Sequence, residues 1–154
     1  MLIRAILGDI TIDSKGSAVV FADNKNILGG KDTAAAGVAV ISKVSDKYYD
    51  YEISTVGPFY TDGGHGEPEE LAACYYNSLN IAKENGIRSI SFPSIATGIE
   101  GYPVTEASEV AMGAVRRFLE FNNDAFDLIE WICKDKETLE AYSHQVDVYY
   151  NQDR

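Results

Sequence analysis

The stretch FPSIATGIEGYP, residues 92–103, is an apolar run that enters a loop punctuated by Gly98 and Gly101 and stops at a proline. Glycines at this spacing let the backbone bend tightly, and successive N–H groups in such a bend can converge on an anion. Pyrophosphate oxygens can be held this way without a lysine. Glu100 stands at the tip of the same loop, where its charge would oppose an anion. Taken alone, the simpler reading is a tight strand-to-helix connection that uses glycines for their backbone freedom. Standard nucleotide fingerprints do not decide the matter. GGKDT at 29–33 looks like a Walker loop, but the earlier glycine falls at Lys25 and Asp32 replaces the required Ser or Thr. ATGIEG at 96–101 would need glycine at Ala96 to read GxGxxG.

Metal and thiol chemistry have less support. Cys74 and Cys133 lie outside any CxxC or CxxH spacing, so neither a disulfide framework nor a zinc site is expected. His65 and His144 have no second ligand at metal spacing and read as surface or packing residues. The acidic run around Glu67, Glu69 and Glu70 reads as a solvated helix start. No metal or cofactor is expected.

The elements that must hold the loop are legible as periodicity. Six runs read as strands: Leu2–Leu7, Ala18–Ala22, Val38–Ser42, Tyr51–Val56, Ser89–Ile95 and Leu128–Cys133. Most are short and rich in Ile and Val, the pattern of strands buried on both faces. A helix from Pro68 to Asn85 carries Leu71, Cys74, Tyr75, Leu79 and Ala82 at helical spacing and ends at an Asn-Gly cap. A second, from Thr105 to Phe121, aligns Val110, Ala111, Ala114, Val115, Phe118 and Leu119 in one stripe. A third follows Asp135, with Leu139, Tyr142 and Val146 on one face. Strands alternating with helices predict a three-layer α/β domain around a largely parallel sheet. Ligands of such sheets bind beyond the carboxyl ends of the strands.

Composition narrows the partners. The chain has 154 residues, suited to one domain, with a net charge of −11 from 24 acidic and 13 basic residues. That balance disfavours nucleic acid and anionic membranes, whose phosphates are neutralised by Lys and Arg. No stretch approaches the roughly 18 apolar residues of a membrane span. The apolar run in MLIRAILGDI is too short for an export signal. A soluble, cytoplasmic protein is expected.

The motifs also occur in a telling order. GDIT at 8–11, VVFADNKNILGG at 19–30, STVGPFY at 54–60 and residues 70–103, ending in NGIRSISFP and TGIxGYP, together resemble the macrodomain family across nearly the whole chain, especially its MacroD-type branch. The resemblance implies a three-layer α/β/α fold with a central mixed, largely parallel six-stranded sheet, spanning residues 1–154 as one domain. It implies a cleft for ADP-ribose or a related nucleotide, with an ADP-ribosylated protein as a further partner. Carried over by motif, Asp9 would accept the adenine amino group, with the Ile10 N–H beside it. Asn24 would face the distal ribose. Gly29 and Gly30 would open a first ligand loop. Ala96, Thr97, Gly98, Ile99, Glu100 and Gly101 would form a second loop around the pyrophosphate.

Four departures bear on activity. The family's NAAN motif becomes FADN, with Phe21 and Asp23 in place of its first asparagine and second alanine. The helix that follows the family's first glycine loop is deleted by this alignment, because GGKDTAAAGVAVIS passes almost directly into the next strand. The water-activating aspartate of hydrolytic relatives aligns near Ala34, which leaves Asp32, two residues earlier, as the candidate base beside Asn24. An aromatic of the second loop becomes Glu100, and the adenine-stacking aromatic aligns near Cys133, two residues after Trp131. Trp131 could partly replace that ring, although core packing is the simpler expectation. Three functions remain open at this stage: ADP-ribose binding with weak or absent hydrolysis, an O-acetyl-ADP-ribose deacetylase or protein ADP-ribosyl hydrolase, and a degenerate interaction module.

Overall fold

A computed structural model describes residues 1–22 and 35–150. The six strands are β1 (Leu2–Leu7), β2 (Ala18–Phe21), β3 (Ala39–Lys43), β4 (Tyr51–Thr55), β5 (Ser89–Phe92) and β6 (Leu128–Cys133). The helices among the described residues are α1 (Glu67–Glu84), α2 (Val104–Phe121) and α3 (Lys136–Tyr150).

The strands form one sheet in the order β1-β6-β5-β2-β4-β3. Every neighbouring pair is parallel except β3 with β4. The sheet is therefore mixed and largely parallel, as the alternating pattern predicts. β5 is shorter than its apolar run, because Pro93 has no N–H to continue the ladder.

Residues alternate across β6, and the alternation sorts two kinds of interior. Trp131 faces the helices and is fully buried against Phe92, Tyr75 and Tyr142, with ring centroids 5.9, 6.1 and 5.3 Å away. Since Tyr75 belongs to α1 and Tyr142 to α3, both helices cover that face. Phe118 of α2 packs on Tyr76 and Phe126 beside them. Glu130, fully buried, faces the other way. It holds Arg4 of β1 through Nε and Nη2 at 2.9 and 2.7 Å, and takes the Lys15 N–H and the Ser91 hydroxyl, each at 2.7 Å. A buried carboxylate costs several kcal/mol unless its oxygens are occupied in this way. The pairing also pins the chain after β1 across the sheet.

Candidate functional site

β1, β2, β5 and β6 run in one direction, so their carboxyl ends share one edge of the sheet. A cleft of about 600 Å³ opens there, lined from the ends of all four strands and by the start of α3. Asp9, Ile10, Ala96, Thr97, Gly98 and Glu100 of the expected set all line it.

The first wall is the turn after β1. Gly8 donates to the Cys133 carbonyl at 2.9 Å, which ties the turn to the end of β6. A Cβ at Gly8 would sit 2.7 Å from Asp13 Oδ2, so any other residue there would push the Asp13 side chain aside. Asp9 Oδ1 accepts the Thr11 hydroxyl at 2.6 Å and the Thr11 N–H at 2.9 Å, a short-range Asx turn. These bonds, the hydroxyl first, hold the Asp9 carboxyl below its ordinary range. Asp9 Oδ2 and the Ile10 N–H engage no other described residue. An acceptor next to a donor complements an adenine edge, where an amino group donates beside a ring nitrogen that accepts.

The second wall is the loop after β5. It is folded by two internal bonds, Gly101 N–H to the Gly98 carbonyl at 3.0 Å and Tyr102 N–H to the Ala96 carbonyl at 2.9 Å. The left-handed positions are Ala96, with φ 68°, and Gly101, with φ 80°. Gly98 is not one of them, so the first bend falls two residues earlier than the glycine pattern predicts. An alanine there accepts about 1–2 kcal/mol of strain that glycine would avoid. The result is a run of N–H groups at Thr97, Gly98, Ile99 and Glu100 that donate to no described residue. Consecutive free donors of this kind form an anion-binding concavity. Gly101 contributes no donor, because its N–H is spent within the loop. Ile99 and Gly101 lie beside the lining rather than in it, and the Ile99 side chain is 90% exposed. Glu100 lines the cleft half-buried, and its carboxylate makes no hydrogen bond or ion pair with another described residue.

Groups from outside the loop hold it in place. From below, Ser94 donates its hydroxyl to the Tyr142 hydroxyl at 2.9 Å, and the Ile95 N–H reaches the Tyr75 hydroxyl at 3.2 Å. From the side, the Tyr60 N–H donates to the Glu100 carbonyl at 2.9 Å, and the Tyr60 and Tyr102 rings lie 4.7 Å apart. The segment after Tyr60 wraps the Glu67 carboxylate. Its Oε2 accepts from the N–H groups of Thr61, Asp62 and Gly63 at 2.8–3.1 Å, and its Oε1 from His65 at 2.6 Å. Glu67 is thus buried rather than a solvated helix start, and these N–H groups, Thr61 first, lower its carboxyl to about 2. Asp62, His65 and Glu67 bring three possible metal ligands within 4.8 Å, but both Glu67 oxygens are already taken by N–H donors.

Trp131 points away from the cleft into the core, as the simpler expectation has it, and does not replace a stacking ring; Ile132, the next residue in the alternation, lines the cleft instead. Tyr142 is fully buried beneath the second loop. Tyr149 and Tyr150 are partly exposed, and Tyr149 lies 4.1 Å from the Arg116 guanidinium. Asn24, Asp32, Gly29 and Gly30 lie outside the described residues, as does most of the first ligand loop. Periodicity missed Phe21, Ser94, Lys134 and Thr138 as lining residues. Strand parity from Trp131 would have flagged Ile132, and the Asp135 cap of Thr138, at 2.9 Å, marks where α3 begins over the cleft.

The sheet and its cleft define an α/β protein with a cleft beyond the strand ends, lined by a loop whose backbone carries free donors. Residues 9–111 match the family model described as Macro domain, and the chain belongs to the macrodomain family. It is 34% identical to a macro domain-containing protein of Listeria monocytogenes, covering 93% of this chain and 96% of that one. It is 37% identical to an O-acetyl-ADP-ribose deacetylase of Klebsiella pneumoniae, covering 87% and 76%. Among solved structures, a Trypanosoma brucei macrodomain in complex with ADP-ribose superposes with a TM-score of 0.81 at 28% identity, over 94% of this chain and 68% of that one. No helix among the described residues is long and apolar enough to cross a membrane.

Proposed function

We propose that residues 1–154 form one macrodomain that binds ADP-ribose in this cleft, with weak or absent hydrolysis. The observation that carries the reading is the pairing of two chemistries on one cleft. The free N–H groups of Thr97–Glu100 suit the pyrophosphate, and the Asp9 carboxylate with the Ile10 N–H suits the adenine. An ADP-ribosylated protein would enter by the same cleft. A cytoplasmic location belongs to the same reading, because both cysteines are free thiols and suit a reducing compartment.

Turnover is the open part of the reading. The Klebsiella relative is named a deacetylase, which favours hydrolysis as a second reading. Against it stands the missing acid near Ala34, with Asp32 displaced by two residues. A general base must reach within about 3 Å of its water, and its loss costs roughly 10²–10⁴-fold. The alignment to the Listeria relative runs over 169 residues, longer than this chain, so that protein carries segments with no counterpart here.

The test is a calorimetric titration with ADP-ribose, followed by an assay of acetate release from O-acetyl-ADP-ribose by the wild type and by Asp32→Ala. We expect saturable binding and little turnover in either protein. Robust turnover abolished by Asp32→Ala would install Asp32 as the base. No binding of any nucleotide would leave the interaction module standing.

A further inference from the structure

We propose that Tyr142 and Tyr75 are positioning residues of the cleft, holding the ligand loop from beneath through a chain of hydroxyl hydrogen bonds. The inference rests on the binding reading above but adds residues that lie wholly inside the core. Thr97 donates to Ser94 Oγ at 2.8 Å, with the Ser94 carbonyl at 3.1 Å as its alternative acceptor. Ser94 donates to the Tyr142 hydroxyl at 2.9 Å. The Tyr75 hydroxyl has two acceptors for its proton, the Pro93 carbonyl at 3.3 Å and the Tyr142 hydroxyl at 3.4 Å, and either tyrosine could donate across the second contact. Tyr75 also takes the Ile95 N–H at 3.2 Å and the Trp131 Nε1–H at 3.4 Å.

The Thr97 and Ser94 hydroxyls thus each have an acceptor for their protons within the chain. Ser94 and Thr97 line the cleft, yet their protons are taken up within the chain. The chain spends its donors on fixing Pro93, Ser94, Ile95 and Thr97, which leaves the backbone N–H groups after Ala96 to meet the ligand. Both tyrosines are fully buried, and they come from different helices, so the loop is referenced to α1 and α3 together. Thr138, one helical turn before Tyr142, lines the same cleft, so α3 supports the loop and forms part of the site.

The experiment compares Tyr142→Phe, which keeps the ring and removes the hydroxyl, with Phe118→Leu, a core change in α2 outside the chain. Amide exchange is read at Ile95 and Tyr102, relative to the amides of β5. ADP-ribose affinity is measured alongside. In Tyr142→Phe we expect the two loop amides to exchange about fivefold faster relative to β5, as suits the loss of one hydrogen bond, with ADP-ribose affinity falling by a similar factor. Phe118→Leu should lower the melting temperature but change neither ratio. In a Ser94→Ala background, Tyr142→Phe should add less than it does alone, since the shorter of its two hydroxyl contacts is already gone. Unchanged loop exchange in Tyr142→Phe, or an equal change across loop and β5, would overturn the proposal whatever the ligand. Faster loop exchange in a protein that binds no ADP-ribose would support the positioning role and sink the binding reading instead.

Discussion

The two walls of the cleft are held in different ways. The turn at 8–13 is built from its own neighbours: Asp9 with Thr11, Asp13 with Asp9, and one tie to β6. The loop at 93–102 is held by residues from α1, α3 and the segment before α1. A wall made of short-range bonds can change without disturbing the core. A wall wired into buried tyrosines cannot. The largest contrast to measure is therefore Tyr75→Ala against Asp9→Ala. Removing a buried aromatic side chain costs about 3–5 kcal/mol, and here it also strands the Ile95 N–H. Thermal unfolding should show that loss for Tyr75→Ala, while exposed Asp9→Ala should stay within about 2 °C of the wild type. Both should weaken ADP-ribose, the second by about tenfold through the lost charged acceptor alone. A large fall in melting temperature for Asp9→Ala would erase the distinction.

A second way to press on the wired wall is acid. The Glu67 carboxyl has a folded value of about 2 against an ordinary 4.5, held down by the N–H groups of 61–65. A depressed carboxyl contributes its stability above the unfolded value and loses it as pH falls through the folded one. The advantage of wild type over Glu67→Gln should thus be full above about pH 4.5 and disappear toward pH 2. Paired unfolding curves across that range would show it, and a constant gap would mean that the charge on Glu67 is irrelevant to the loop.

The same contrast explains what the sequence disclosed. The sheet, the helices and the GDIT turn follow from periodicity and neighbours, and the strand limits differ only where Pro93 stops a ladder or an edge frays. The support of the second loop depends on residues distant in sequence, such as Ser94 and Tyr142, 48 positions apart. No local pattern marks such a pair. Glu67 misled for a related reason: an acidic helix start normally faces water, and only the path of residues 61–65 buries it. ATGIEG fails as a GxGxxG motif because Ala96 is not glycine, yet Ala96 adopts the left-handed turn that glycine favours. The Tyr102 N–H holds the Ala96 carbonyl, while Tyr75 and Tyr142 hold the two residues before it.

The smallest expected effect concerns Glu100, where the wired wall meets the ligand. Its carbonyl is fixed by the Tyr60 N–H, but its carboxylate is unpaired among the described residues. On the binding reading proposed above, the backbone supplies donors to the ligand while the side chain opposes it. Replacing Glu100 with an aromatic removes no backbone donor. At about 5–6 Å and an effective dielectric near 20, each charge pair with a pyrophosphate costs roughly 3 kcal/mol before screening. Rotation of the half-exposed side chain into water and the salt around it remove most of that. We therefore expect Glu100→Tyr to tighten ADP-ribose by a factor of several. Titrations across a salt series separate the causes: the gap should shrink with salt if repulsion dominates and persist if added apolar cover does. Equal affinities at every salt would mean that the carboxylate points clear of the ligand. Tighter binding by the wild type would mean that this cleft receives a ligand with a donor at that place, and the charge on the loop would then be a recognition element.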